Sequence, residues 1–174
     1  MSSLEQTLRG YISQHSDHGI FLDTNVLLLF IFALYQPSKI GSKRLSKYSK
    51  EDGELLIQYV QKFSRILTTP HVLAETSNLA RQISKDKQSK ELAETLYPLF
   101  FHDTQNSFVK LNIDEILVNA DLFGKLGLTD SCIAALAQEK QLLLTDDLDL
   151  YLATNSNGGD VINFTHMREA AGII

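Results

Sequence analysis

The stretch Gly19–Asn25 reads Gly-Ile-Phe-Leu-Asp-Thr-Asn and runs straight into the apolar segment Val26–Tyr35. A short apolar run bounded by Gly and Asp predicts a strand buried on both faces, and the longer run after it predicts a helix. Asp23 therefore stands where a buried strand hands over to a helix. In open α/β sheets that handover, at the carboxyl ends of the strands, is where ligands sit.

The same grammar repeats. Strands are expected at Ile20–Leu22, Arg65–Thr68, Phe108–Leu111, Gln141–Thr145 and Val161–Phe164. Amphipathic helical spacing marks Ser3–Gln14, Glu54–Ser64 and Pro70–Ser84, and the length of its apolar run marks Asn25–Tyr35 as a helix. Further helices are expected at Glu91–Leu96, after Asn112 and Glu115, at Ser131–Glu139 and from Leu148 to Leu152, with a helical turn in the tail Thr165–Ile174. Gly124 and Gly127 are expected to end the helix that Asn112 opens. Alternation of this kind predicts a three-layer α/β/α sandwich around a central parallel sheet. A chain of 174 residues is expected to form one domain, 1–174, with an N-terminal helix over 3–14 and a basic insert over 36–53.

The longest apolar run falls short of the ~20 residues a membrane span needs. No basic segment followed by an apolar core opens the chain, so no signal peptide is expected. A single cysteine, Cys132, excludes an intramolecular disulfide and a Cys-rich zinc site, and fits a cytoplasmic setting. His15 and His18 have poor spacing for a metal. The net charge of −5 does not favour nucleic acid. Within the insert, however, Lys39, Lys43, Arg44, Lys47 and Lys50 occur with no acid between Ser38 and Lys50. That run reads equally as a solvated loop and as an arm for a phosphate backbone.

Four acids fall at strand–helix handovers expected on one edge of the sheet. Asp23 ends a strand, and Glu75 borders the buried stripe of Pro70–Ser84. Asp130 opens a helix, and Asp147 follows a strand. Taken singly, each has a plain structural explanation: a cap, a dipole partner or a border carboxylate. Brought together, they would repel one another and need a cation. Carboxylate oxygens without His or Cys favour Mg²⁺ or Mn²⁺, ions that polarise phosphodiesters and activate water.

Ile20-Phe21-Leu22-Asp23-Thr24-Asn25, the segment Pro70–Glu75, Leu128-Thr129-Asp130 with Ala134-Ala135, and Leu144-Thr145-Asp146-Asp147 together resemble the PIN domain. Order and spacing agree over about Gly19–Phe164. The resemblance implies a doubly wound α/β/α fold and a Mg²⁺- or Mn²⁺-dependent endoribonuclease acting on single-stranded RNA, such as the VapC-type toxins of toxin–antitoxin pairs. It matches Asp23, Glu75 and Asp130 to the family's first three acids. Its Thr, any residue, Asp pattern selects Asp147 as the fourth, although Asp146 lies nearer the strand end and stays an alternative. Asp23, Asp130 and Asp147 are the implied metal ligands. Asn25, Thr145, Asp146 and Asp149 are implied to be auxiliary, and Lys39, Lys43, Arg44 and Lys47 are candidate RNA contacts. An antitoxin partner and a homodimer follow from the resemblance alone. A helix before the first strand and the long basic insert depart from the small toxins of the family. Two other functions compete. One is a PIN-like module that binds RNA or protein without cutting. The other is a haloacid-dehalogenase-type phosphatase, which wants an Asp where Asn25 stands.

Overall fold

A computed structural model of the chain describes residues 3–83, 106–108, 120–138 and 141–174. Its five strands are β1 (Ile20–Leu22), β2 (Ile66–Thr68), β3 (Asn106–Phe108), β4 (Leu142–Thr145) and β5 (Val161–Asn163). They form one sheet of order β3-β2-β1-β4-β5 in which every pairing is parallel. The register sets Leu22 beside Leu144 and Thr145 beside Asn163. β1 and β4 are therefore neighbours, and the chain leaves them in opposite directions, towards β2 and β5. That is the switch point of a doubly wound sheet, where a crevice opens beyond the carboxyl ends.

The helices are α1 (Ser3–His15), α2 (Thr24–Tyr35), α3 (Lys50–Val60), α4 (Pro70–Ile83), α5 (Ala120–Gln138), α6 (Leu148–Ser156) and α7 (Phe164–Ala170). Right-handed crossovers from β1 to β2 and from β4 to β5 run in opposite senses, so their helices cover opposite faces. In keeping with this, α2 packs on α3 and α4, while α5 packs on α6. α2 shows why the second apolar run has so little polarity. Val26, Leu27, Leu28, Leu29, Phe30, Ile31 and Phe32 are all buried, so the helix has no solvent face to mark. Gly19 has φ +100, and a Cβ there would meet Arg65 O at 2.8 Å. Only glycine lets the chain turn so closely into β1. Among the described residues, no helix is long and apolar enough to cross a membrane.

Several expected boundaries shift. β3 starts at Asn106, two residues before the expected strand, and the remainder of that segment lies outside the described residues. α3 starts at Lys50, because Ser49 and Asp52 form a capping box ahead of the apolar stripe. Gly124 does not end a helix. It lies inside α5, and the break comes at Gly127, with φ 77 and ψ −178. β5 stops at Asn163, whose side chain accepts from Thr165 N at 2.8 Å and caps α7. The break expected at Lys85–Lys90, the helix at Glu91–Leu96 and the helix opened by Asn112 lie outside the described residues.

The insert folds as two turns of 3-10 helix, Pro37–Lys39 and Lys43–Leu45, followed by the start of α3. Leu45 and Tyr48 are buried, so the segment is seated on the domain through them. Arg168 of α7 holds it from below. Its Nε donates to Asp52 Oδ1 at 2.6 Å, and its Nη2 donates to Lys47 O at 3.0 Å.

Candidate metal and catalytic site

Asp23 follows β1 and caps α2. Its Oδ1 accepts from Val26 N at 2.7 Å. Its Oδ2 accepts from Asp146 N at 3.0 Å and from the Thr145 hydroxyl. A capping carboxylate normally becomes easier to ionise. This one is buried beside a second carboxylate. Burial first, and the charge of Asp146 second, push Asp23 up to about 7 against the hydrogen bonds it accepts.

Thr145 ties the two strand ends together. Its hydroxyl donates to Asp23 and accepts from Asp147 N at 3.0 Å. Asp147 is exposed and caps α6, with Oδ1 accepting from Leu150 N at 2.9 Å. Asp146 is held by a different set of partners. Its side chain is buried, and its Oδ2 accepts from the Tyr48 hydroxyl and lies 2.5 Å from Lys47 Nζ. Burial, then the charge of Asp146, raise the Tyr48 pKa, so the phenol stays protonated and donates. Asp146 Oδ1 is buried and has no hydrogen-bond partner among the described residues.

Asp130 opens the second part of α5, just past the Gly127 break. It is half-buried. Burial, then Asp147, then Glu75 raise it to about 6. These causes put the three carboxylates in one electrostatic neighbourhood. Glu75, exposed on α4, accepts from the Thr24 hydroxyl at 3.3 Å. Thr24 was not among the expected site residues. The signal for it was its place beside Asp23 at the start of a helix that crosses over the sheet end.

The chain thus brings Asp23 and Asp146 together, and Asp130, Asp147 and Glu75 together. Thr145 and Thr24 link the two groups. Asn25 is half-buried on the first turn of α2. Asp149 is exposed and lines a shallow pocket with Lys125, Leu126 and Ala153. The expected RNA-contacting residues divide. Lys43 Nζ donates to Gln82 O at 2.7 Å and Ile83 O at 3.0 Å, capping α4. Lys47 pairs with Asp146. Arg44 is exposed, and Lys39 is half-buried. His15 lies away from these acids, its Nε2 2.8 Å from Asp160 Oδ2.

Among the described residues, no group of three or more acidic, imidazole or thiol side chains is placed so as to hold a metal ion. The donors are nevertheless suited to a hard cation. They are carboxylate oxygens, burial and then neighbouring carboxylates raise the pKa of Asp23 and Asp130, and Asp146 Oδ1 is buried with no hydrogen-bond partner among the described residues.

No curated protein and no solved structure matches the chain. The family model of the PIN domain does, over residues 20–154. PIN domains are generally metal-dependent nucleases, and the match runs from β1 into α6, enclosing Asp23, Glu75, Asp130, Asp146, Asp147 and Asp149. The chain belongs to the PIN domain family.

Proposed function

We propose that this protein is a Mg²⁺- or Mn²⁺-dependent endoribonuclease that hydrolyses phosphodiesters of single-stranded RNA, with the whole chain acting as one domain. The observation that carries this reading is the gathering of acids at the β1–β4 switch point, where Asp23 and Asp130 are both pushed well above the usual carboxylate range. Carboxylates that crowd each other without a cation are poised to bind one.

Asp23, Asp130 and Asp147 would hold the ion. When bound, it supplies charge stabilisation at the phosphoryl group and a lowered pKa for water. The chain's own residues do the rest. Thr145 fixes Asp23 and the backbone of Asp147 relative to each other. Thr24 steers Glu75 over the sheet end, where its free oxygen accepts the proton of the attacking water. The water oxygen bonds to phosphorus in line with the leaving group, and the P–O3′ bond breaks. The 3′-oxygen leaves with a proton from solvent, giving 5′-phosphate and 3′-hydroxyl ends. Arg44 and Lys39 contribute positive charge for the flanking backbone.

A role as the toxin of a toxin–antitoxin pair, with an antitoxin protein and a homodimer, is supported by the sequence resemblance alone. The free, buried Cys132 suits the cytoplasm. The test is cleavage of a single-stranded RNA in Mn²⁺ by the wild type and by Asp23→Asn. The variant is expected to fold and to lose cleavage. A variant that cuts as fast as the wild type overturns the proposal, as does a wild type that cuts without added metal after chelation.

A further inference from the structure

Asp146 occupies the position that the family pattern leaves variable, yet its side chain is buried and held by two partners from the insert. Its side chain is 3% exposed. One oxygen, Oδ2, takes both the Tyr48 hydroxyl and the Lys47 ammonium. The other, Oδ1, is buried and has no hydrogen-bond partner among the described residues. A buried carboxylate oxygen left open costs free energy unless something completes it. The same residue donates its backbone N–H to Asp23, so its position is locked to that of the principal acid.

Both residues that hold Oδ2 come from the insert. The Tyr48 ring packs on Phe164, with ring centroids 6.3 Å apart, and Arg168 Cζ lies 5.6 Å from the Tyr48 centroid. Arg168 in turn is fixed by Asp52 and grips the Lys47 carbonyl. The backbone that carries the pair is therefore rigid. The Lys47 side chain itself is 52% exposed, so its ammonium reaches solvent when it leaves Asp146.

We propose that Asp146 is a further oxygen donor of the cation site, through Oδ1. Lys47 is the ammonium that balances its charge while no divalent ion is bound, and Tyr48 is the positioning residue that fixes the carboxylate. The insert is then part of the metal site and not simply a basic arm for RNA. This inference rests on the cation-dependent reading above. An ammonium 2.5 Å from a ligand carboxylate opposes an incoming divalent ion, whereas a hydroxyl donor to the same carboxylate assists it by holding the ligand in place. The two neighbours of one oxygen should therefore act in opposite directions, which a merely structural contribution would not produce.

The experiment is calorimetric titration of the full chain with Mn²⁺, with no RNA present. Lys47→Met is expected to tighten Mn²⁺ about fivefold, because the competing charge is gone. Tyr48→Phe and Asp146→Asn are each expected to weaken it about tenfold. In the Asp146→Asn background, Lys47→Met should tighten Mn²⁺ less than in the wild type, since the carboxylate that holds the ammonium beside the ion is absent. Lys47→Met leaves the buried Asp146 without its ammonium, so circular dichroism first checks that the variant is folded; once folded, it decides the matter even if Asp146→Asn does not fold. Unchanged or weaker binding by Lys47→Met overturns the inference, as does unchanged binding by a folded Asp146→Asn. If the wild type binds Mn²⁺ and loses it in Asp130→Asn while Lys47→Met is silent, only this inference falls. If the wild type binds no Mn²⁺, the nuclease reading falls with it.

Discussion

Replacing Asp23 by Asn should stabilise the metal-free protein at alkaline pH. Asp23 is buried, and burial together with Asp146 moves it from 3.8 to about 7. A folded-state pKa above the unfolded one gives a contribution fully present below the unfolded value and lost as pH rises through the folded one. The metal-free protein is thus expected to weaken between about pH 4 and pH 7. At pH 8 the ionised Asp23 costs about 4 kcal/mol, at 1.36 kcal/mol for each tenfold change in proton affinity. At pH 5 the cost is about 2 kcal/mol, because the folded carboxyl is still protonated there. Asn keeps the bond from Val26 N but leaves the Asp146 N–H facing an amide, a loss of about 2 kcal/mol. The net expectation is about 2 kcal/mol of stabilisation at pH 8 and about none at pH 5. Urea unfolding in EDTA at the two pH values measures both. A variant less stable than the wild type at pH 8, or a difference that does not change with pH, refutes the argument that crowded carboxylates strain the empty site.

Three other outcomes follow from the same contacts. Mn²⁺ must displace protons held by Asp23 near 7 and Asp130 near 6, so calorimetric affinity should rise about tenfold or more from pH 5.5 to pH 7.5; a flat profile would separate those acids from the ion. Arg168→Met leaves Asp52 buried without its partner and should cost about 3 kcal/mol in urea unfolding, whereas Asp52→Asn/Arg168→Met should cost less; equal losses would deny that the orphaned charge dominates. Gly127→Ala puts a side chain at φ 77 in otherwise open space, and should lose about 1 kcal/mol of stability through backbone strain alone.

Elements whose signal is local were legible in the sequence. β1 and β4 are short apolar runs between polar residues, buried on both faces, and their ends fell where the apolar residues stop. A parallel sheet covered on both faces followed from the alternation, whereas the doubly wound arrangement was implied by the family resemblance. Boundaries set by side chain-to-backbone bonds were not legible. Asp52 starts α3 through Ser49, and Asn163 ends β5 by capping α7. Both are ordinary polar residues until their partners are known. Asp23 and Asp147 could be named because each follows a strand and caps a helix, whereas Glu75 and Asp130, inside α4 and α5, were picked out by the combination of acids and the family resemblance. The part played by Thr24 could not be read, because it depends on a long-range contact between helices joined through another strand. The seating of the insert was not legible for a related reason. Its positive charges were visible, but the buried Tyr48 and Leu45 that turn Lys47 inward depend on where α7 and the end of β4 lie.

The central claim is that acids distant in sequence form one seat for a divalent cation. An anomalous difference map from a crystal soaked in Mn²⁺ tests it most directly. A strong peak within coordination distance of carboxylate oxygens of Asp23, Asp130 and Asp147 is the result expected. A well-diffracting soaked crystal with no peak there, or with Mn²⁺ only at surface carboxylates elsewhere, would contradict it.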